Sequence, residues 1–157
     1  MNKLFTAGKL YGHCVGKKFA AAELTGSAVT LFTILGGPIK VHNLGMLVTT
    51  AIPAGANTLK IDLKPTSTAV DLCGATDTAS AAVDQLFVVN GAKATGLVKT
   101  TDVGVLAAGQ TLTSTMPIIL GPGIVRAVWS GGPPATGAAL FFMEYEPLSQ
   151  FSEVHVD

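Results

Sequence analysis

Ile124-Val125-Arg126-Ala127-Val128-Trp129-Ser130, then Gly131-Gly132-Pro133-Pro134-Ala135-Thr136-Gly137, then Ala138-Ala139-Leu140-Phe141-Phe142-Met143-Glu144-Tyr145-Glu146-Pro147 is the stretch that decides the fold class. Two β-prone runs flank a loop that cannot be helical, because proline lacks an amide donor and glycine admits positive φ. The only Trp of the chain sits on the first run, and two Phe and a Tyr sit on the second. These rings offer the largest burial per residue. The stretch reads as a long β-hairpin at the heart of an all-β core.

Upstream, the same punctuation recurs. Residues 28–35 are dense in β-branched and aromatic side chains and stop at Gly36-Gly37-Pro38. Ile39 and Val41 alternate with polar neighbours, and Leu44, Met46 and Val48 continue on the opposite parity. That shift predicts a bulge near Asn43, and Gly36-Gly37-Pro38 reads as the turn of a hairpin whose second arm ends near Ile52. Leu59, Ile61 and Leu63 alternate with Lys60, Asp62 and Lys64 up to Pro65, giving a strand with one core face and one polar face. Residues 66–82 are small and polar. They read as a long connection with a helical turn near Asp71, of a length that suits a functional or partner-ordered segment. Asn90-Gly91 is a turn signal. Met116-Pro117-Ile118-Ile119-Leu120 reads as an edge strand because of its proline, and residues 19–24 allow a turn or two of helix. The expected architecture is all-β. It is an antiparallel β-sandwich or jelly-roll-like barrel over residues 27–148, preceded by an N-terminal arm, residues 1–26, and followed by a tail, residues 149–157.

Composition narrows the function. The 157 residues carry ten basic and ten acidic side chains, without the basic excess of a nucleic-acid-binding domain. Only 13% of residues are charged, about half the roughly 25% of an ordinary domain. So sparse a charge suits a surface covered by copies of itself or by a partner, although a neutral, Thr-rich β surface has the same composition. No run approaches the ~18 apolar residues of a membrane span. The N-terminus has no continuous apolar region of the kind a signal peptide needs, so synthesis in a reducing cytoplasm is expected. Cys14 and Cys73 are too few for a disulfide framework and read as buried free thiols.

Charge is unevenly placed. Up to Lys40 there are five bases and one acid; beyond it there are five bases and nine acids. Lys3, Lys9, Lys17 and Lys18 are therefore candidate docking residues on a basic arm, and an ordinary first strand with solvated lysines is the equal alternative. His13, His42 and His155 are scattered, and neither a C-x₂-C nor an H-x₃-H pair is present to hold zinc. His13 and Cys14, adjacent on a strand, point to opposite faces. Neither cysteine sits in a nucleophile signature, and the glycine loops lack the phosphate-binding spacing. Glu144 and Glu146 share a strand face, and paired carboxylates on a sheet face could serve glycoside hydrolysis; a solvated face or an intersubunit pairing with lysine is the plainer reading. The chain is thus expected to be no enzyme and to need no metal or cofactor. A small-ligand-binding barrel lined by Phe32, Phe87, Phe141 and Phe142 is an alternative from another class, and the same rings serve equally as core.

Five segments in order carry a resemblance: Leu35-Gly36-Gly37-Pro38-Ile39-Lys40-Val41, Ala54-Gly55-Ala56-Asn57-Thr58-Leu59-Lys60-Ile61, Asp71-Leu72-Cys73, Gly121-Pro122-Gly123-Ile124 and Met143-Glu144-Tyr145-Glu146-Pro147-Leu148. In this order, over residues 27–148, the chain resembles a family of small virion proteins of tailed bacteriophages. The resemblance implies a structural component of the particle. The first expectation is a capsid decoration (cement) protein on the capsid exterior that forms a homo-oligomer, a trimer, and binds the major capsid protein or other virion proteins, with no nucleic-acid or membrane partner. A tail, neck or baseplate module is the alternative, with residues 130–137 as its contact loop.

Overall fold

The computed structural model describes residues 13–20, 23, 28–55, 57–92, 95–99, 116–130, 134 and 136–156. Among the described residues, twelve strands run in the order β1 (His13–Ala20), β2 (Ala28–Leu35), β3 (Ile39–Thr50), β4 (Thr58–Lys64), β5 (Val70–Asp71), β6 (Thr76–Asp77), β7 (Leu86–Val88), β8 (Val98–Lys99), β9 (Ile118–Leu120), β10 (Gly123–Ser130), β11 (Ala138–Pro147) and β12 (Glu153–Val156). They build two six-stranded sheets that pack face to face as a sandwich, not as a closed barrel. One sheet runs β1-β11-β3-β7-β8, with β9 also on β3; the other runs β12-β2-β10-β4-β5, with β6 also on β4. Every pairing between these strands is antiparallel. Successive long strands alternate between the sheets. The nested order, β1-β11-β3-β7 facing β2-β10-β4-β5, is that of a double-sheet jelly roll.

This alternation corrects two sequence expectations. The runs on either side of residues 131–137 do not pair with each other. β10 lies between β2 and β4 in one sheet, and β11 lies between β1 and β3 in the other. Likewise β2 and β3, on either side of Gly36-Gly37-Pro38, belong to different sheets. Alternation requires only that each arm bury one face. Two arms satisfy that equally by pairing side by side or by facing each other across the core. The second solution is adopted here. Val125, Ala127 and Trp129 of β10 and Phe141, Met143 and Tyr145 of β11 are all buried in one cluster with Phe32, Met46, Ile61 and Phe87. Phe32, Phe87 and Phe141 fill this core, and Phe142 lies half-buried on the other side of its strand, so the four rings do not line a common cavity.

Several local expectations hold. The register between β11 and β3 shifts where Glu144 faces Asn43 and Tyr145 faces Val41, which is the bulge expected near Asn43. β4 stops before Pro65, with Leu59 and Ile61 fully buried. Among the described residues β9 pairs with β3 alone, as an edge strand. The helical turn expected near Asp71 is absent: Val70 and Asp71 pair with Leu63 and Asp62 as β5, and Leu72 and Cys73 turn into the core. The tail, residues 149–157, adds β12 to the edge of β2.

The polar face of β4 carries a buried charge. Asp62 is only 3% exposed. It accepts two hydrogen bonds from Arg126 of the neighbouring β10, from Nε at 2.9 Å and from Nη2 at 2.6 Å. Lys60 pairs with Asp71 beside it at 2.8 Å. The hydrogen bonds to Asp62 outweigh desolvation and push the Arg126 guanidinium still higher, so it stays charged. An unpartnered buried carboxylate is costly. Replacing Arg126 with Met should therefore lower unfolding free energy by on the order of 3 kcal/mol, measured by urea denaturation, and additional replacement of Asp62 with Asn should recover part of the loss.

Candidate interaction surfaces

The positions of the four candidate lysines divide. Lys3 and Lys9 lie outside the described residues. Lys17 and Lys18 stand on β1, which pairs with β11 along its whole length, so this part of the basic segment is a first strand. Lys18 is exposed, and the Lys17 ammonium lies 4.9 Å from the centre of the Phe19 ring. Of the contact loop 130–137, only Ser130, Pro134, Thr136 and Gly137 are among the described residues.

Glu144 and Glu146 project from the outer face of β11, half-buried, each with its own partners. Asn43 donates to Glu144 at 3.0 Å, and Lys40 and His42 each approach Glu146 at 3.5 Å. Glu146 thus meets a lysine of its own chain, and Glu144 an asparagine. Among the described residues no three His, Cys, Asp or Glu side chains converge as a metal site would require. His13 stacks on Tyr145, ring centres 5.3 Å apart. Burial raises the affinity of the Tyr145 phenol for its proton, a hydrogen bond with the Val154 backbone opposes this, and the Glu153 charge adds to it. That hydrogen bond ties β11 to β12 of the opposite sheet.

The two thiols differ, against the expectation that both are buried. Cys14 is exposed on β1, while Cys73 is buried beneath β4, where the Ile61 amide donates to its Sγ at 3.2 Å. Pairing by alternation explains the difference: Cys14 sits opposite Glu144 and shares its outward face. Burial raises the Cys73 pKa above its ordinary value, only partly offset by the Ile61 hydrogen bond.

Two surfaces stand out for their apolar content. On the outer face of the β11 sheet, Leu140, Leu47 and Leu86 lie in one cross-strand row, and Phe142, Gly45 and Val88 in the next. The Phe142 ring lies over Gly45, where an added Cβ would come within 2.9 Å of it.

The other surface, which composition gave no means of locating, lies at one end of the sandwich. Leu35, Leu148 and Phe151 are all exposed there, Phe151 at 68%. The turn that carries Phe151 is firmly held. Ser152 Oγ donates to the Pro38 carbonyl at 2.7 Å and lies 2.9 Å from Ser149 Oγ, while the Leu148 amide donates to the same carbonyl at 3.1 Å. Gly36 has φ +72°, and a Cβ there would fall 1.8 Å from the Phe151 carbonyl oxygen; at Gly37 it would meet Ser149 Oγ at 2.3 Å. The glycines therefore let the 149–152 turn close directly on the β2–β3 connection.

Comparison with protein-family models, with curated proteins and with solved structures finds no match to this chain.

Thiol chemistry checks the burial directly. A disulfide reagent such as DTNB should titrate one thiol in the native protein and two in denaturant. Since the folded state favours the Cys73 thiol over the thiolate, stability should fall as pH rises through and beyond the unfolded value near ~8.5. In Cys73→Ala that dependence should be absent.

Proposed function

We propose that the chain is a non-enzymatic structural protein of a phage particle, a homo-oligomeric capsid decoration protein that bridges neighbouring shell subunits. The observation that carries this reading is the braced, exposed apolar end around Leu35, Leu148 and Phe151 on a protein that is otherwise a rigid sandwich. Three further features support it: the ordered resemblance of residues 27–148 to small phage virion proteins, the charged fraction of 13%, and the jelly-roll strand order. Viral capsid proteins share that order, as do lectins and cupins, so it weighs only as analogy. The action is mechanical. Apolar and backbone groups left open on the shell are covered, over an obligate interface of ~2,000 Å² or more. Lys18, exposed on β1, and Lys3 and Lys9 before it in sequence would supply positive charge toward an acidic shell exterior.

The test is a copy count on purified particles by quantitative mass spectrometry. Copies on the order of hundreds, as shell symmetry demands, are the expected result. A small number set by the tail symmetry moves the chain to the tail, neck or baseplate, and absence from particles rejects both. Reversing Lys3, Lys9 and Lys18 to Glu should weaken particle binding, and the wild-type interaction should weaken with added salt.

A further inference from the structure

Near the exposed Phe151 ring lies a shallow recess. Between the end of β2 and the start of β10 lies a largely apolar hollow of about 280 Å³ whose lining includes Ile34, Leu35, Lys64, Pro65, Pro122 and Ile124. Knob and hollow adjoin. Leu35 lines the hollow and pairs with Glu153, and the next residue, Gly36, packs under the Phe151 backbone. Phe151 is not among the residues lining the hollow of its own chain. Small-molecule sites usually measure ~300–1,000 Å³, so a hollow just below that range and open to solvent suits a single bulky side chain. Charge complements shape. Glu153, near the knob, is exposed, and among the described residues its one ion pair is with His155, at 3.3 Å. Lys64, at the hollow, is exposed and has no ion-pair partner among the described residues. With ten charges of each sign, two copies have no net repulsion to overcome.

We propose that Phe151 of one copy seats in the Pro65–Pro122 hollow of a second copy, with Glu153 of the first facing Lys64 of the second. This rests on the reading of the chain as a self-associating module and names the contact. A large apolar side chain entering a pocket on an identical molecule is a sufficient seed for association, and each copy gives one knob and receives one, whether the contact closes as a two-fold pair or as a ring. The knob is aromatic, as interface anchors commonly are, and its turn is already fixed by the Ser149–Ser152–Pro38 hydrogen bonds, so little ordering remains to oppose binding.

The experiment is the mass of the full-length protein by light scattering and sedimentation at several concentrations, with circular dichroism confirming that each variant folds. Wild type should be oligomeric, and Phe151→Ser should dissociate at ~10-fold or higher concentration, the change expected for loss of one anchor. Glu153→Lys and Lys64→Glu should each weaken association, and the double reversal should restore it. An unchanged mass for Phe151→Ser overturns the contact but leaves self-association standing. A wild-type protein that stays monomeric throughout overturns self-association itself. A monomer whose particle binding depends on Phe151 gives the knob to a shell protein and overturns the copy-to-copy contact.

Discussion

The structure depends on two strands facing each other across the core. β10 and β11 are consecutive, yet each is the interior strand of a different sheet. All the longer strands hang from them, β2 and β4 on β10, β1 and β3 on β11. Their inner faces supply Trp129, Phe141, Met143 and Tyr145, all buried. Packed sheets stand ~10 Å apart, so the link between these strands has to cross the edge of the sandwich rather than turn tightly within a sheet. A loop of glycines and prolines, 131–137, meets that demand, and a two-residue turn would not. Once β10 and β11 are committed to opposite sheets, β2 and β4 can gain hydrogen-bonded neighbours only on one side of the core, and β1 and β3 only on the other. The alternating jelly-roll path follows.

The strands were legible in the sequence because alternation reports burial, and burial is what the core imposes. Leu59 and Ile61 on β4, the parity change between Val41 and Leu44, and the proline that keeps β9 at an edge all follow from that one signal. Which strand pairs with which was not legible. Periodicity assigns a face and not a neighbour, so the two apparent hairpins at Gly36-Gly37-Pro38 and at 131–137 are crossings. Short strands without alternation were also hidden. β5 and β6 have two residues each and owe their conformation to the edge of β4 rather than to local propensity, which favoured a helical turn near Asp71. Of the candidate site, the lysines of β1 were visible as charge, but the apolar end was not. Leu35, Leu148 and Phe151 look like ordinary strand and tail residues until the fold places them at the same end.

The outer faces show how a chain with few charges places them. On the β10 sheet, Asp62, Asp71, Lys60 and Arg126 neutralise one another across neighbouring strands. Glu146 is likewise answered by Lys40 and His42 on the other sheet. Charges used in this way fix the register of strand pairs, because a slip of one residue would turn Asp62 into the apolar core. They do little to keep surfaces apart, and the Phe142 and Leu140 rows remain apolar. Charge here serves internal order more than repulsion between molecules.

That economy bears on the end that carries Phe151. Ser149, Ser152, Gly36 and Gly37 spend hydrogen bonds and close backbone contacts on holding a turn whose main product is an exposed aromatic ring. Nothing in the stability of the sandwich requires the ring itself, because a serine in its place would leave each of those contacts formed by backbone or by other side chains. A phenyl group left mostly exposed gains little from folding and adds solvent-exposed apolar surface. It does gain when a second surface covers it, and a rigid turn keeps that gain from being lost to ordering. Where a fold fixes a large apolar group outside its own core, association recovers the burial that folding left unused.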